Sequence, residues 1–189
     1  GQVNDDALKT DISRIVALAQ YMDKTWPTDS VTDTARHQLG FYLMRDKKYP
    51  EAFQAFSRIS AGYESVYRAR MDEGAAAFFL AKSDAAEAVK KAAVDRAKAD
   101  LIALAVPGED DEADDCASYV RSQLQLGQLY LLNTDSYAEV EKIGKRIAEQ
   151  VAKFKNLKGA GKAELMFAAR AMAASGIYGQ AFQANKEKD

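Results

Sequence analysis

The chain offers few side chains that could perform acid–base or nucleophilic chemistry. His37 is its only histidine and Cys116 its only cysteine. A metal site built on several imidazoles is therefore excluded, and a Ser–His or Cys–His mechanism would depend on His37 alone. Carboxylates are plentiful, but no spacing nominates one as an acid and another as a base. The sequence predicts no catalytic site, no metal and no cofactor, and we expect a protein that is not an enzyme.

The most acidic segment extends from Gly108 to Asp115 and places six carboxylates in eight positions. A calcium loop of the EF-hand type needs oxygen ligands at alternate positions, a central glycine and a closing glutamate, and this arrangement is absent. We therefore interpret residues 106–115 as a solvated insertion. Its last acids would favour the positive N-terminal end of the following helix.

A basic stretch from Lys142 to Lys162, counted with the adjoining Glu141, carries a net charge of +5, which could attract nucleic acid or an anionic membrane surface. Its lysines, however, are spread around a helix that must also bury apolar residues such as Val140 and Ile147. A solvated outer helix face is the simpler interpretation. We expect no nucleic-acid partner.

The segment from Gly159 to Ala163, with Gly161-Lys162 inside it, is loosely similar to a phosphate-binding loop. Ala163 stands where such a loop needs Ser or Thr, and no strand pattern precedes it. We expect a flexible connector between helices here.

Any functional residues of this chain must be positioned by its helices, and the helical segments follow a repeated pattern. Gly40 and Gly74 lie thirty-four residues apart inside strong helical patterns, and Gly127 follows in a third copy. Glycine inside a helix costs about 1 kcal/mol relative to alanine, so close packing against another helix is the expected compensation. Pro50 stands where a second helix would begin, and no stretch has the alternation of a strand.

This pattern resembles the tetratricopeptide repeat, whose unit is a pair of antiparallel helices with small residues where the backbones approach. About four copies cover residues 33–189 in one continuous domain. Residues 1–32 form a leading or capping helix that ends near Trp26-Pro27. The resemblance implies an all-α, right-handed α-solenoid of antiparallel helix hairpins.

In the family that the chain resembles, the first helices of the repeats line a concave groove. Carrying the groove positions onto this sequence selects one or more residues from each copy. These are His37, Phe41, Arg45, Arg68, Met71, Arg121, Gln128 and Arg170.

Two features limit what this resemblance implies. The Lys and Asn pattern by which chaperone-binding members hold a C-terminal carboxylate is not reproduced at His37, Phe41, Met71 and Gln128. In addition, four apolar residues at groove positions are equally well explained as core, namely Phe78, Phe79, Leu131 and Leu132.

The expected function is a non-catalytic interaction or scaffolding module that binds a peptide or protein partner. Two alternatives remain open: a helical regulatory domain of a larger enzyme, and self-association through the terminal repeats into a homo-oligomer. With 48% hydrophobic and 29% charged residues the chain is typical of a folded domain, and no window is apolar enough for membrane insertion. Because the chain begins with Gly1, we expect an excised or processed product. A single cysteine leaves the compartment open.

Overall fold

The computed structural model describes residues 5–133 and 136–186, and over these residues the chain forms helices and no β-strand. The prediction of an all-helical protein is confirmed. The described helices are α1 Asp5–Thr25, α2 Ser30–Arg45, α3 Tyr49–Ser57, α4 Val66–Ala81, α5 Glu87–Ile102, α6 Ala113–Tyr130, α7 Tyr137–Lys153 and α8 Gly159–Lys186.

The first hairpin has local signals at both of its turns. Asp29 precedes α2, and its carboxylate accepts a hydrogen bond from the Val31 N–H at 2.9 Å, which satisfies one of the free donors at the helix start. Lys47, between α2 and α3, adopts a positive φ of 59° and reverses the chain. Pro50 then lies in the first turn of α3, as predicted, because its missing N–H costs nothing there.

Each helix packs against the next helix in the chain, and contacts also join α2 to α4, α4 to α6 and α6 to α8. Two clusters of buried apolar residues result. One is built around Phe56 and Ile59, and the other around Leu101, Val120 and Ile147. Phe53 on α3 touches both clusters, so the apolar packing is continuous along the chain.

The predicted close contacts at glycines are present, but not all lie within one hairpin. A Cβ added at Gly40 would come within 2.5 Å of the Phe56 ring on α3, as expected for two antiparallel neighbours. A Cβ at Gly127 on α6 would collide with the Met172 side chain, which belongs to α8. Gly127 therefore permits contact with α8 instead of with α7, its own hairpin partner.

The fourth copy does not form the expected hairpin. Residues 159–186 are one continuous helix, and the predicted connector around Gly161 is its first turn. Lys162 donates from Nζ to the Phe154 carbonyl oxygen at 2.9 Å, and so joins the start of α8 to the end of α7. Gly176 and Gly179, which could have marked a turn, lie against α7 at Glu141 and Tyr137, where they allow a close helix contact.

Three buried polar side chains each join one helix to the end of the helix before it. They lie on α2, α4 and α6, each four residues before Gly40, Gly74 or Gly127. Each donates a hydrogen bond to a carbonyl oxygen at or just beyond the end of the preceding helix. Such carbonyls carry the negative end of the helix dipole and have no partner within their own helix. The pairs are Arg36 with Pro27 at 2.8 Å, Arg70 with Ile59 at 2.6 Å and Gln123 with Leu101 at 2.8 Å.

The second of these ties includes a buried acid. Arg70 Nη1 contacts Glu73 Oε2 at 2.7 Å, while Glu73 Oε1 has no hydrogen-bond partner. Burial, with a smaller contribution from Asp100 on α5, raises the pKa of Glu73 to about 7 against the opposing effect of Arg70. Arg96 on α5 in turn binds Asp100 at 2.6 Å. A protonated Glu73 would supply a donor where the ionised form has an unsatisfied oxygen.

Glu73→Gln should remove a pH dependence of stability. In the folded state the pKa of Glu73 is about 7, above the ordinary value of 4.5, so the folded state binds this proton more tightly than the unfolded state does. Ionisation of Glu73 therefore lowers stability as the pH rises from about 4.5 to about 7. Glutamine mimics the protonated acid. In urea unfolding, the stability of the variant relative to the wild type should increase by about 1 to 3 kcal/mol between about pH 5 and pH 8.

The exposed Glu64 provides the control, because Glu64→Gln should leave the pH profile unchanged. A constant difference between Glu73→Gln and the wild type across this range would show that Glu73 does not take up a proton on folding.

Candidate functional site

Two pockets adjoin on the face formed by α2, α4 and α6. The first encloses about 300 Å³ and the second about 290 Å³. They share Ser65 and Arg68, and we call the pair the first-helix groove. Its residues are His37, Gln38, Phe41, Tyr63, Ser65, Arg68 and Asp72 in the first pocket, and Ser65, Tyr67, Arg68, Asp114, Asp115, Ser118 and Arg121 in the second.

His37 links α2 to α4 at one end of this groove. Its Nε2 lies 2.8 Å from Asp72 Oδ2, and its Nδ1 lies 3.5 Å from the Tyr63 hydroxyl oxygen. The imidazole ring also meets the edges of the Phe56 and Tyr63 rings, with centroids 5.8 Å apart in both cases. Both ring nitrogens thus face protein groups, and the arrangement fixes the separation of the two helices. Phe41, one turn further along α2, is 51% exposed and available for apolar contact.

The groove carries charged residues of both signs. Arg68 and Arg121 are exposed, and neither takes part in an ion pair among the residues that the structure describes. Asp114 and Asp115 occupy the first turn of α6, where the helix dipole favours a negative charge, as predicted. The groove therefore presents two unpaired guanidinium groups with carboxylates beside them, a surface that can orient a ligand carrying both an acidic and a polar group.

The structure brings together half of the eight predicted groove residues. His37, Phe41, Arg68 and Arg121 line the two pockets. The other four line neither pocket. Arg45 is exposed at the last position of α2, Met71 is half-buried on α4, and Gln128 and Arg170 are exposed on α6 and α8.

Sequence reasoning missed the other groove residues, some of which precede α4 and some of which lie on α2, α4 and α6. Tyr63 and Ser65 precede α4, so a scheme that carries over helix positions cannot select them. Asp72 had a detectable signal. It lies thirty-five residues after His37, one more than the spacing of Gly40 and Gly74, and the resemblance to a repeat family would have placed such positions side by side.

The four apolar residues that the sequence allowed as either core or groove residues fall into two groups. Phe78 and Leu132 are half-buried and pack against the core. Phe79 is 45% exposed and stacks on Tyr49, while Leu131 is 39% exposed at the end of α6.

The acidic segment is exposed but is not a free connector. The Lys155 N–H donates to the Glu109 carbonyl oxygen at 2.9 Å, and Asn156 Nδ2 donates to the carbonyl oxygens of Asp110 and Asp111 at 2.9 Å each. These bonds hold it against the connection between α7 and α8. Over residues 5–133 and 136–186, no group of three His, Cys, Asp or Glu side chains converges in a way that could hold a metal ion.

Two lysines of the basic stretch form ion pairs with acids of the same helix, α7. Lys142 contacts Glu139 at 2.6 Å, Lys145 contacts Glu141 at 2.5 Å, and Arg146 donates to Gln123. These pairs reduce the positive field that a polyanion would meet. Among the helices that the structure describes, none combines the length and apolar character that crossing a membrane requires.

Comparison with known proteins found no matching protein-family model, curated protein or solved structure. The functional argument therefore depends on the residues of this chain.

Proposed function

We propose that the chain is a tetratricopeptide-like α-solenoid that acts as a non-catalytic protein-interaction or scaffolding module, and that its partner docks in the first-helix groove. One observation carries this proposal. His37 and Phe41 on α2, Arg68 on α4 and Arg121 on α6 lie far apart in sequence, yet they line two pockets that adjoin on a single face.

The order of helix contacts supports the solenoid. Packing between helices adjacent in the chain, with further contacts between alternate helices, is what a stack of hairpins produces. The recurring hydrogen bonds of buried polar residues also support a stack of hairpins. Arg36 and Arg70 are thirty-four residues apart and both bind the end of the preceding helix, just as Gly40 and Gly74, also thirty-four apart, both allow close packing.

The shape and charge of the groove favour a short extended segment of a partner protein. Three parallel first helices at about 10 Å spacing define a track about 20 Å long, which spans about six extended residues. Phe41 offers an apolar contact at one end, and Arg68 and Arg121 offer unpaired charge toward the other. We expect a ligand with an apolar side chain followed by a carboxylate, because arginine and aromatic residues commonly dominate such interfaces.

Selection from a displayed library of random peptides, followed by calorimetry with the selected sequences, tests this function. The double variant Arg68→Glu with Arg121→Glu should weaken binding by more than about 1 kcal/mol without loss of helicity, because both side chains are exposed and the acidic ligand group would meet like charge.

Lys142→Glu with Lys145→Glu makes the same change in charge on α7, away from the groove, and should leave binding intact. Loss of binding in this control together with normal binding by the groove variant would place the interaction on the basic face of α7. Peptides that bind both variants normally would exclude the groove.

A further inference from the structure

The outer face of α8 is apolar and uncovered. Leu165, Ala169 and Met172 on its inner face are buried, and Gly176 and Gly179 lie against α7. The opposite face carries the largest group of exposed apolar side chains on any single helix that the structure describes. These are Phe167 at 75% exposure, Tyr178 at 74%, Ile177 at 51% and Phe182 at 49%.

A groove runs beside the C-terminal half of this face. It encloses about 510 Å³, far more than one aromatic ring fills, and its floor and walls are mainly apolar. We call it the α8 groove. Its lining residues are Leu131, Tyr137, Ala174, Ser175, Tyr178, Gly179 and Phe182.

We propose that this face binds a second copy of the chain in an antiparallel, two-fold arrangement, with Phe167 of each copy entering the α8 groove of the other. An interface of this kind uses the same surface on both subunits, so the face must be complementary to itself. It depends on α8 and its groove, not on the first-helix groove.

The order of large and small side chains along α8 meets this requirement. If the two-fold axis passes between Met172 and Ala173, Phe167 of one copy lies level with Tyr178 of the other. Ala171 then lies level with Ala174 of the second copy, so small residues meet at the axis and the two backbones can approach closely. Phe167 arrives beside the α8 groove at the point where Ala174 and Tyr178 form its rim.

The charges on α8 are compatible with the same register. Arg170 is the only charged residue between Phe167 and Phe182, and its apolar stem lies beside Ile177 of the second copy. Toward each end, Glu164 of one copy lies about 7.5 Å along the helix axis from Lys186 of the other, within reach of two long side chains.

The exposed area is sufficient for a stable pair. The four large side chains together expose about 500 Å² per copy, since each has a surface of about 200 Å² and is half to three-quarters exposed. The exposed alanines Ala171, Ala174 and Ala181 raise the apolar area available on this face to about 700 Å² per copy, close to the share of each partner in a stable interface. The total of about 1,400 Å² lies within the range of stable protein interfaces.

Light scattering or sedimentation of the full chain over a concentration series tests the proposal. The mass of the wild type should rise to twice that of the chain, and Phe167→Glu and Tyr178→Glu should each weaken dimerisation at least tenfold. Both residues are about three-quarters exposed, so circular dichroism should show unchanged helicity. Phe41→Glu alters an exposed aromatic residue on α2 and should dimerise as the wild type does.

Cross-linking tests the register separately. In the proposed pair the two Ala174 positions are offset by about 4.5 Å along the helix axis, so Ala174→Cys should be joined to its counterpart by a short bifunctional thiol reagent. Ala92→Cys, at an exposed position on α5, should show no more cross-linking than the wild type. A chain that remains monomeric at every concentration would overturn the proposal, as would a dimer that neither glutamate variant weakens and that Ala174→Cys does not cross-link.

Discussion

Gly176→Ala should destabilise the protein by about 2 to 3 kcal/mol, although alanine in place of glycine stabilises an exposed helix by up to about 1 kcal/mol. A Cβ at Gly176 would collide with the Glu141 backbone nitrogen and lie 2.7 Å from the Tyr137 carbonyl oxygen. These are backbone atoms of α7, so no rotamer change can relieve the overlap. Gly144 makes the reciprocal contact on α7, with the Ala169 carbonyl oxygen 2.8 Å from an added Cβ.

Gly161→Ala is the matched control, because it makes the same substitution in the same helix where nothing lies within 4 Å of an added Cβ. This variant should be as stable as the wild type or more stable by up to about 1 kcal/mol. Urea unfolding of the two variants measures the difference. Equal stabilities for Gly176→Ala and Gly161→Ala would show that α7 and α8 do not pack backbone to backbone at Gly176.

The contrast between Gly127 and Gly176 shows what the sequence could predict about the fold. Glycine inside a helical pattern predicts that something must approach closely, and this was correct at Gly40 and Gly127. The identity of the neighbour was predictable only at Gly40, where the partner is the next helix. Gly176 falls within the fourth copy, whose expected turn is absent. A repeat pattern specifies which helix face is buried, but a turn requires a residue that interrupts the helix.

Half of the groove residues predicted from the sequence line the candidate site, and the other half do not because the helices are not equally spaced and rotated. Offsets carried over from a repeat family assume that each unit rotates equally on the one before it. His37, Arg68 and Arg121 satisfy this assumption closely enough to line one groove. Arg170 does not, since residues are inserted before its helix and α8 is joined mainly to α7. Tyr63 was beyond prediction, because its place depends on the path of the loop before α4.

The buried polar residues that join successive helices recur in the sequence, but an analysis of apolar periodicity does not consider polar residues. Arg36 and Arg70 are separated by the repeat length, as Gly40 and Gly74 are. Arginine is usually exposed, so its recurrence at a core position is informative. A buried arginine needs acceptors, and the carbonyls at a helix end provide them without a dedicated side chain. Leu165 stands at this position in the fourth copy and is buried there, so the polar contact is not repeated.

Arg70→Met should therefore cost about 3 to 5 kcal/mol of stability near pH 8, the typical loss when one partner of a buried ion pair is removed. Arg70 is 7% exposed and Glu73 only 1%. Without the guanidinium group, the carbonyl oxygen of Ile59 loses its side-chain donor and that of Phe56 loses one of its donors. Glu73 also loses the positive charge that most strongly lowers its pKa. Methionine retains the volume of the aliphatic stem, so the loss reports on the polar contacts more than on packing.

Arg68→Met provides the control two residues earlier on the same helix, where the side chain is exposed and the change should stay within about 0.5 kcal/mol. Urea unfolding of both variants at about pH 5 and about pH 8 adds a second criterion. Protonation of Glu73 removes its buried charge, so the loss caused by Arg70→Met should be smaller at the lower pH. A loss below about 1 kcal/mol, or an equal loss at both pH values, would mean that Arg70 and Glu73 are not a buried, charge-coupled pair.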